Sequence, residues 1–169
     1  MAGRSRPMAG RQNSQSDMAS MASIDLIKQL REETGISVGE CKKVLEQAKG
    51  DMAKAKELLR AWGKEVASRK QKREAKEGMV EAYVHTNGKI GAMVAVRCET
   101  DFVSRSADFK NLCHELALQV VSMDPTDVSS LLDQQYVRES SRTIRNLTEE
   151  MIAKLGENIV VERFIRFEL

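Results

Sequence analysis

At Gly78 the spacing of the apolar residues changes from three or four to two, and that change decides what the chain can fold into. Before it, Ile24, Ile27 and Leu30, then Val44, Leu45 and Ala48, then Ala55, Leu58, Leu59 and Trp62 fall at helical intervals. After it, Met79–His85 and Ile90–Cys98 are strand-like and partly β-branched, and they flank Asn87-Gly88, a hairpin signal because both residue types tolerate positive φ. A run of helices followed by strands that must bury one face against further helices is an α+β chain. At 169 residues it has room for one ordinary domain or two small ones, and with aromatics at 4% the core must be mostly aliphatic.

The helical part divides at its caps. The first helix starts behind Ser23 as N-cap and ends at Gly35, which supplies a left-handed residue. The second opens on Ser37-Val38-Gly39-Glu40, a capping-box pattern, carries Cys41 inward and stops at Gly50. The third starts from Asp51 and closes at Gly63. Residues 1–20 are polar and without period, too poor in apolar side chains to offset the entropy of ordering, and are expected to form a disordered leader, an upstream start or fusion remnant rather than a transit peptide. The resulting division is 1–20 leader, 21–63 three-helix head, 64–77 basic and solvated linking helix, and 78–169 α+β core.

Within the core a two-residue loop at Asn87-Gly88 would set Glu81 opposite Val94, on the face that Ile90, Val94 and Val96 should bury; a bulge or a longer loop is expected instead. A helix follows from near Ser106 through Leu112, Leu116 and Val120 to Met123, where Asp124-Pro125 stops it. Residues 126–142 read as irregular or weakly helical. The next helix turns Ile144, Leu147, Met151, Ile152 and Leu155 inward and ends at Gly156. The last segment alternates as a strand, with Ile159, Val161, Ile165, Phe167 and Leu169 on one face, Glu162, Arg166 and Glu168 on the other, and Arg163 out of phase.

Little in the chain suggests bond-making chemistry. His85 and His114 have no carboxylate or cysteine at ligand spacing, and Cys41, Cys98 and Cys113 lack the C-x-x-C pairing of a zinc or redox site, so they read as buried thiols of a reducing compartment. Phosphate loops, dinucleotide fingerprints and nucleophile motifs are absent, as is an apolar run long enough to cross a membrane. No catalytic residue, metal or cofactor is expected. The net charge of +2 conceals 17 basic against 11 acidic residues up to position 77 and 10 against 14 beyond it. Lys64–Lys76 could meet RNA phosphates, but Glu65 and Glu74 interrupt it and no aromatic residue is there to stack a base.

Thr100-Asp101-Phe102-Val103 is the most informative stretch. It sets an aromatic and a branched residue between a strand end and the next helix, where a chain normally runs over the surface. From the residues alone it is either a packed anchor or a protruding contact. Together with Leu30-Arg31, Thr34-Gly35, Cys41-Lys42-Lys43, Lys154-Leu155-Gly156-Glu157-Asn158-Ile159 and Arg166-Phe167-Glu168-Leu169, in that order along the chain, it resembles the elongation factor Ts family from Met21 to the C-terminus.

The resemblance implies a ubiquitin-associated-like head and a sheet module that both grip elongation factor Tu, the GTPase that delivers aminoacyl-tRNA, in its GDP form. Thr100, Asp101, Phe102 and Val103 match the family motif that intrudes near the Mg²⁺ and phosphates of the bound GDP, which makes the chain a cytoplasmic nucleotide-exchange factor and not an enzyme. Arg31, Ile36 and Val38 match the contact region of the head. Where family members commonly carry a Met pair, this chain has Val38-Gly39, and its stretch from Val128 to Val137 is short of a helical pair. With one sheet module where long members have two, a second chain could supply the missing surface through the final strand, giving a homodimer. Two other readings compete: an interaction module that binds without exchanging nucleotide, and an RNA-binding protein.

Overall fold

The helical stretch forms three helices in the computed structural model, which describes residues 13–169: α1 (Asn13–Thr34), α2 (Val38–Gln47) and α3 (Met52–Lys70). Two compact units divide the chain inside α3, the first ending at Lys56 and the second beginning at Glu57. In the first, α1 packs on α2, and Leu30, Ile36, Cys41, Val44, Leu45, Ala48 and Ala55 are buried. Gly35 takes φ 67° after α1, a conformation in which a Cβ would be strained. The Ser37 hydroxyl caps α2 by accepting from the Glu40 N–H, and the Asp51 carboxylate caps α3 by accepting from the Lys54 N–H.

Two expectations for this stretch need correcting. Helix α1 begins at Asn13, ten residues ahead of Ser23, so Ser23 is not its cap and part of the expected leader is helical; residues 1–12 lie outside the described residues. Nor does α3 end at Gly63. It continues to Lys70 with Val66 and Ala67 buried, so residues 64–70 are packed and not merely solvated. Gly63 is where α3 passes α7 (Ile144–Leu155): a Cβ there would already touch the Glu149 carbonyl oxygen at 3.7 Å and the Ala153 Cβ at 3.8 Å. The glycine serves close approach rather than termination.

The second unit is built on a three-stranded antiparallel sheet of β1 (Glu77–Val84), β2 (Ile90–Cys98) and β5 (Val160–Glu168), with β2 in the middle. Helix α5 (Ala107–Met123) lies across one face and buries Phe109, Leu112, Leu116 and Val120 against Val94 and Val96. A short α6 (Val128–Asp133) leads into a small hairpin of β3 (Gln135–Tyr136) and β4 (Glu139–Thr143), a pairing within the stretch expected to be irregular. Gln119, buried on α5, ties it down: its amide nitrogen donates to the Gln135 carbonyl at 3.0 Å and its oxygen accepts from the Val137 N–H at 2.9 Å. Such a bond pattern satisfies a polar side chain that would be costly if left alone.

Two strand expectations also change. β1 and β2 are joined by a longer loop over residues 86–89, as expected, but they pair without a bulge, and Glu81 does stand opposite Val94 on the buried face. What makes this tolerable is α5: the His114 ring sits 3.1 Å from the Glu81 carboxylate and meets the Tyr83 ring edge-on, so neither His114 nor Glu81 stands free at the surface. In β5 the alternation breaks. Val96 pairs with Val161 but Ala95 pairs with Arg163, which leaves Glu162 as the extra residue of a bulge. Glu162 is held there by Arg97, whose Nε donates to its Oε2 at 2.8 Å. Beyond the bulge the two faces exchange: Phe164 and Arg166 turn in, while Ile165 and Phe167 turn out.

Candidate functional site

β2 ends at Cys98 and the chain reverses through a single helical turn, α4 (Asp101–Ser104), before entering α5. Local bonds explain the reversal. The Thr100 hydroxyl oxygen accepts from the Val103 N–H at 3.4 Å, which starts α4; the Ser104 hydroxyl donates to the Asp101 carbonyl at 2.8 Å. Ser106 both donates to the Val103 carbonyl and accepts from the Phe109 N–H at 3.2 Å, ending one helix and capping the next. The Cys98 thiol donates to the Thr100 carbonyl at 3.2 Å. Burial, and then the nearby Glu157 charge, push that thiol up to about 11, so it stays protonated and keeps its donor. Cys113 is pushed up to about 12, again first by burial.

The four motif residues divide by direction. Val103 is 5% exposed and belongs to the core beside Phe109. Thr100 spends its hydroxyl on the fold. Asp101 is exposed and paired with Arg105 at 3.2 Å. Phe102 is 81% exposed. Of the two local readings the sequence allowed, the packed anchor describes Val103 and the protruding residue describes Phe102.

In the first unit Arg31 lies in the last turn of α1 and Val38 at the start of α2, both exposed. Ile36, between them, is 7% exposed and faces the core, where its carbonyl accepts from the Cys41 thiol. It supports the corner that Arg31 and Val38 present.

Two features were not foreseen from sequence. One is the carboxylate of Glu157, which reaches the turn from 57 residues further on. The other is the outer face of the sheet, where Val80, Val84, Met93, Ile165 and Phe167 are all exposed. The only hint of it was Arg163, out of phase in an otherwise regular strand. Among the described residues no group of His, Cys, Asp and Glu is placed to hold a metal ion, and no helix is long and apolar enough to cross a membrane.

Fold and site together define an α+β protein whose distinctive surface is an aromatic tip on a tightly capped turn. Comparison with known proteins agrees on what kind. The family described as elongation factor TS matches residues 99–169. Elongation factor Ts of Coprothermobacter proteolyticus is 41% identical over 192 residues, a match covering 87% of this chain and 98% of that protein. Elongation factor Ts of Thermotoga maritima is 38% identical, covering 87% and 96%. The chain belongs to the elongation factor Ts family, and so among the elongation factors of translation. The first match runs over more positions than the chain's own 169 residues, so that relative carries inserted residues this chain lacks.

Proposed function

We propose that the chain is a cytoplasmic guanine-nucleotide exchange factor that binds elongation factor Tu in its GDP form and speeds GDP release without making or breaking a bond. The observation that carries this reading is Phe102, 81% exposed at the tip of a turn whose neighbours are packed and capped. A large apolar ring held in water gains most when it enters a partner's pocket. GDP in such GTPases is retained by phosphate contacts and by Mg²⁺ charge neutralisation, so a ring and a carboxylate pushed in beside them weaken the nucleotide. In this reading Asp101 and Phe102 make the contact, while Thr100 and Val103 hold the turn that presents them. Arg31 and Val38 add affinity from the head. Because coupling is reciprocal, returning nucleotide loosens the factor, which permits turnover.

The test is the release of labelled GDP from elongation factor Tu. Acceleration at substoichiometric amounts of the chain is the expected outcome; binding without acceleration would leave only an interaction module, and salt-sensitive RNA affinity in its place would favour the third reading.

The homodimer is part of the same proposal, by a different surface from the final strand's edge. Met93 pairs with Ala82 on one side and Ile165 on the other, and Gly91 joins Val84 to Phe167, so the exposed apolar residues form one continuous patch. A sheet face of that kind is matched by a second copy of itself across a twofold axis, sheet on sheet. Sedimentation should show a concentration-dependent dimer that Phe167→Glu abolishes. A wild-type chain that stays monomeric at micromolar concentration refutes it.

A further inference from the structure

We infer that Glu157 is the positioning residue of the Thr100–Val103 turn: it clamps the start of the turn from the segment that leads into β5, next to the end of β2, and thereby fixes where Phe102 points. The inference deepens the exchange reading above and rests on it for its functional consequence.

The geometry is a reciprocal pair of carboxylates. Glu157 Oε2 accepts from the backbone N–H groups of Glu99, at 3.1 Å, and Thr100, at 3.0 Å, while its Oε1 accepts from the Thr100 hydroxyl at 2.6 Å. In return, Glu99 Oε1 accepts from the Asn158 N–H at 2.6 Å. Each acidic residue therefore caps the backbone of the other's segment, across 57 to 59 residues of sequence. Three charge-assisted bonds converging on one carboxylate are stronger than neutral ones and set the direction of the groups they hold.

The clamp is itself anchored. Gly156 caps α7 in the left-handed conformation, φ 74°, which turns the chain so that Glu157 faces β2's end. Lys70, the last residue of α3, donates to the Gly156 carbonyl. Asn158, 3% exposed, donates its side-chain amide to the Arg73 carbonyl at 2.7 Å, and Arg73 lies 3.6 Å from the Glu99 carboxylate. The string Gly156-Glu157-Asn158, with no chemistry of its own, thus joins the segment after α3 to the turn that carries Phe102.

Why the turn should need this follows from its size. α4 is a single turn of four residues, too short to be stable by its own backbone bonds. Its exposed half, Asp101 and Phe102, contributes nothing to the core. Without Glu157 the N–H groups of Glu99 and Thr100 lose their acceptor, the Thr100 side chain keeps only its 3.4 Å bond from the Val103 N–H, and the tip samples orientations in which Phe102 no longer meets one fixed pocket. Affinity spread over a large contact would survive this; the rate of GDP release, which depends on where the ring lands, would not.

The experiment measures GDP release from elongation factor Tu at rising concentrations of the full chain, for wild type, Glu157→Ala, Glu157→Gln, Phe102→Ala and the double variant Glu157→Ala/Phe102→Ala, with amide hydrogen exchange followed at Glu99 and Thr100. Glu157→Ala should lower the maximal rate about tenfold while the half-saturating concentration moves less than about threefold, and the double variant should be no slower than Phe102→Ala alone, because both changes act through one ring. Amide exchange at Glu99 and Thr100 should speed up about tenfold or more. Glu157→Gln, which keeps the shape and one acceptor oxygen, should fall between and covers the case in which the alanine variant does not fold. A wild-type maximal rate in Glu157→Gln and Glu157→Ala, unchanged amide exchange, or losses that multiply in the double variant would overturn the inference. If wild type itself releases no GDP, the exchange reading fails, and the amide exchange still decides whether Glu157 holds the turn.

Discussion

The two surfaces proposed to meet the GTPase are built in opposite ways. The corner that carries Arg31 and Val38 is made locally: Thr34 donates to Leu30 four residues back, Ser37 caps its own helix, and Ile36 packs inward two residues before Val38. The turn that carries Phe102 is made at long range, with Val103 in the core of the sheet unit and Thr100 held from Glu157. Local construction leaves a corner tolerant of substitution and suited to adding affinity. Long-range construction fixes one direction, which is what a residue needs if it must disturb a small site on a partner.

The sharpest way to test that contrast uses two phenylalanines seven residues apart. Phe109 is fully buried under the sheet, so Phe109→Ala should cost roughly 3–5 kcal/mol of unfolding free energy in a denaturant titration, as large-to-small core changes do. Phe102→Ala should do the reverse. With 81% of the residue in water, its removal should change stability by no more than about 0.5 kcal/mol. Catalysed GDP release should nevertheless fall at least about tenfold, ~1.4 kcal/mol in the barrier. A Phe102→Ala chain that melts much earlier yet exchanges normally would show that the ring is structural and that the comparison between surfaces is misdrawn.

What was legible in the sequence follows the same division between local and distant causes. Caps that act within four residues, at Ser37, Asp51, Ser106 and Gly156, stand where the pattern put them; the apolar stripes of α2 and α5 are buried as spaced, and that of α7 buries Ile144 and Ile152 with Leu147, Met151 and Leu155 half-buried beside them. Glu81 misled because its partner, His114, lies 33 residues away on α5, and a carboxylate on a buried face looks impossible until that ring is in place. Gly63 misled because a glycine that ends a helix and one that lets two helices touch look identical in one chain. The phase of β5 reversed on one bulged residue, Glu162, and with it Ile165 and Phe167 moved from the expected core face to the outside. At the site, the motif was recognisable but its division into two holding and two presenting residues was not, since nothing near Thr100 reveals Glu157.

Changes in the head should act on affinity and leave the maximal rate alone. Arg31→Ala removes an exposed charge at the end of α1 and should raise the half-saturating concentration severalfold, a loss of about 0.5–1 kcal/mol of the kind expected outside a hot spot. Val38→Met lengthens an exposed apolar side chain where relatives are expected to carry methionine, and should lower it by a similar factor. Ile36→Ala differs from both, because Ile36 is buried: it should lower the melting temperature of the head before it changes binding. If Arg31→Ala instead cut the maximal rate with half-saturation unchanged, the head would share the turn's role.

The smallest effect expected is electrostatic and confined to the head. Glu33 on α1 lies 2.6 Å from the Lys56 ammonium, and its carboxyl is held below the usual carboxylate range first by that hydrogen bond and then by the Gln29 amide. A carboxyl whose value is lowered by folding adds stability at pH values above its unfolded value, about 4.3, and that stability is lost as pH falls through the lower folded value. Both side chains are more than a third exposed, so screening keeps the contribution small and salt should weaken it further. Melting curves of wild type and Glu33→Gln, taken from pH 7 to pH 3 at low salt, should therefore differ slightly at neutral pH and converge in acid, wild type losing its advantage only below about pH 4. The difference should vanish at 1 M salt. Curves that diverge in acid, or a difference indifferent to salt, would mean that Glu33 acts through packing, and that the head is tied together by something other than the short-range bonds that distinguish it from the turn.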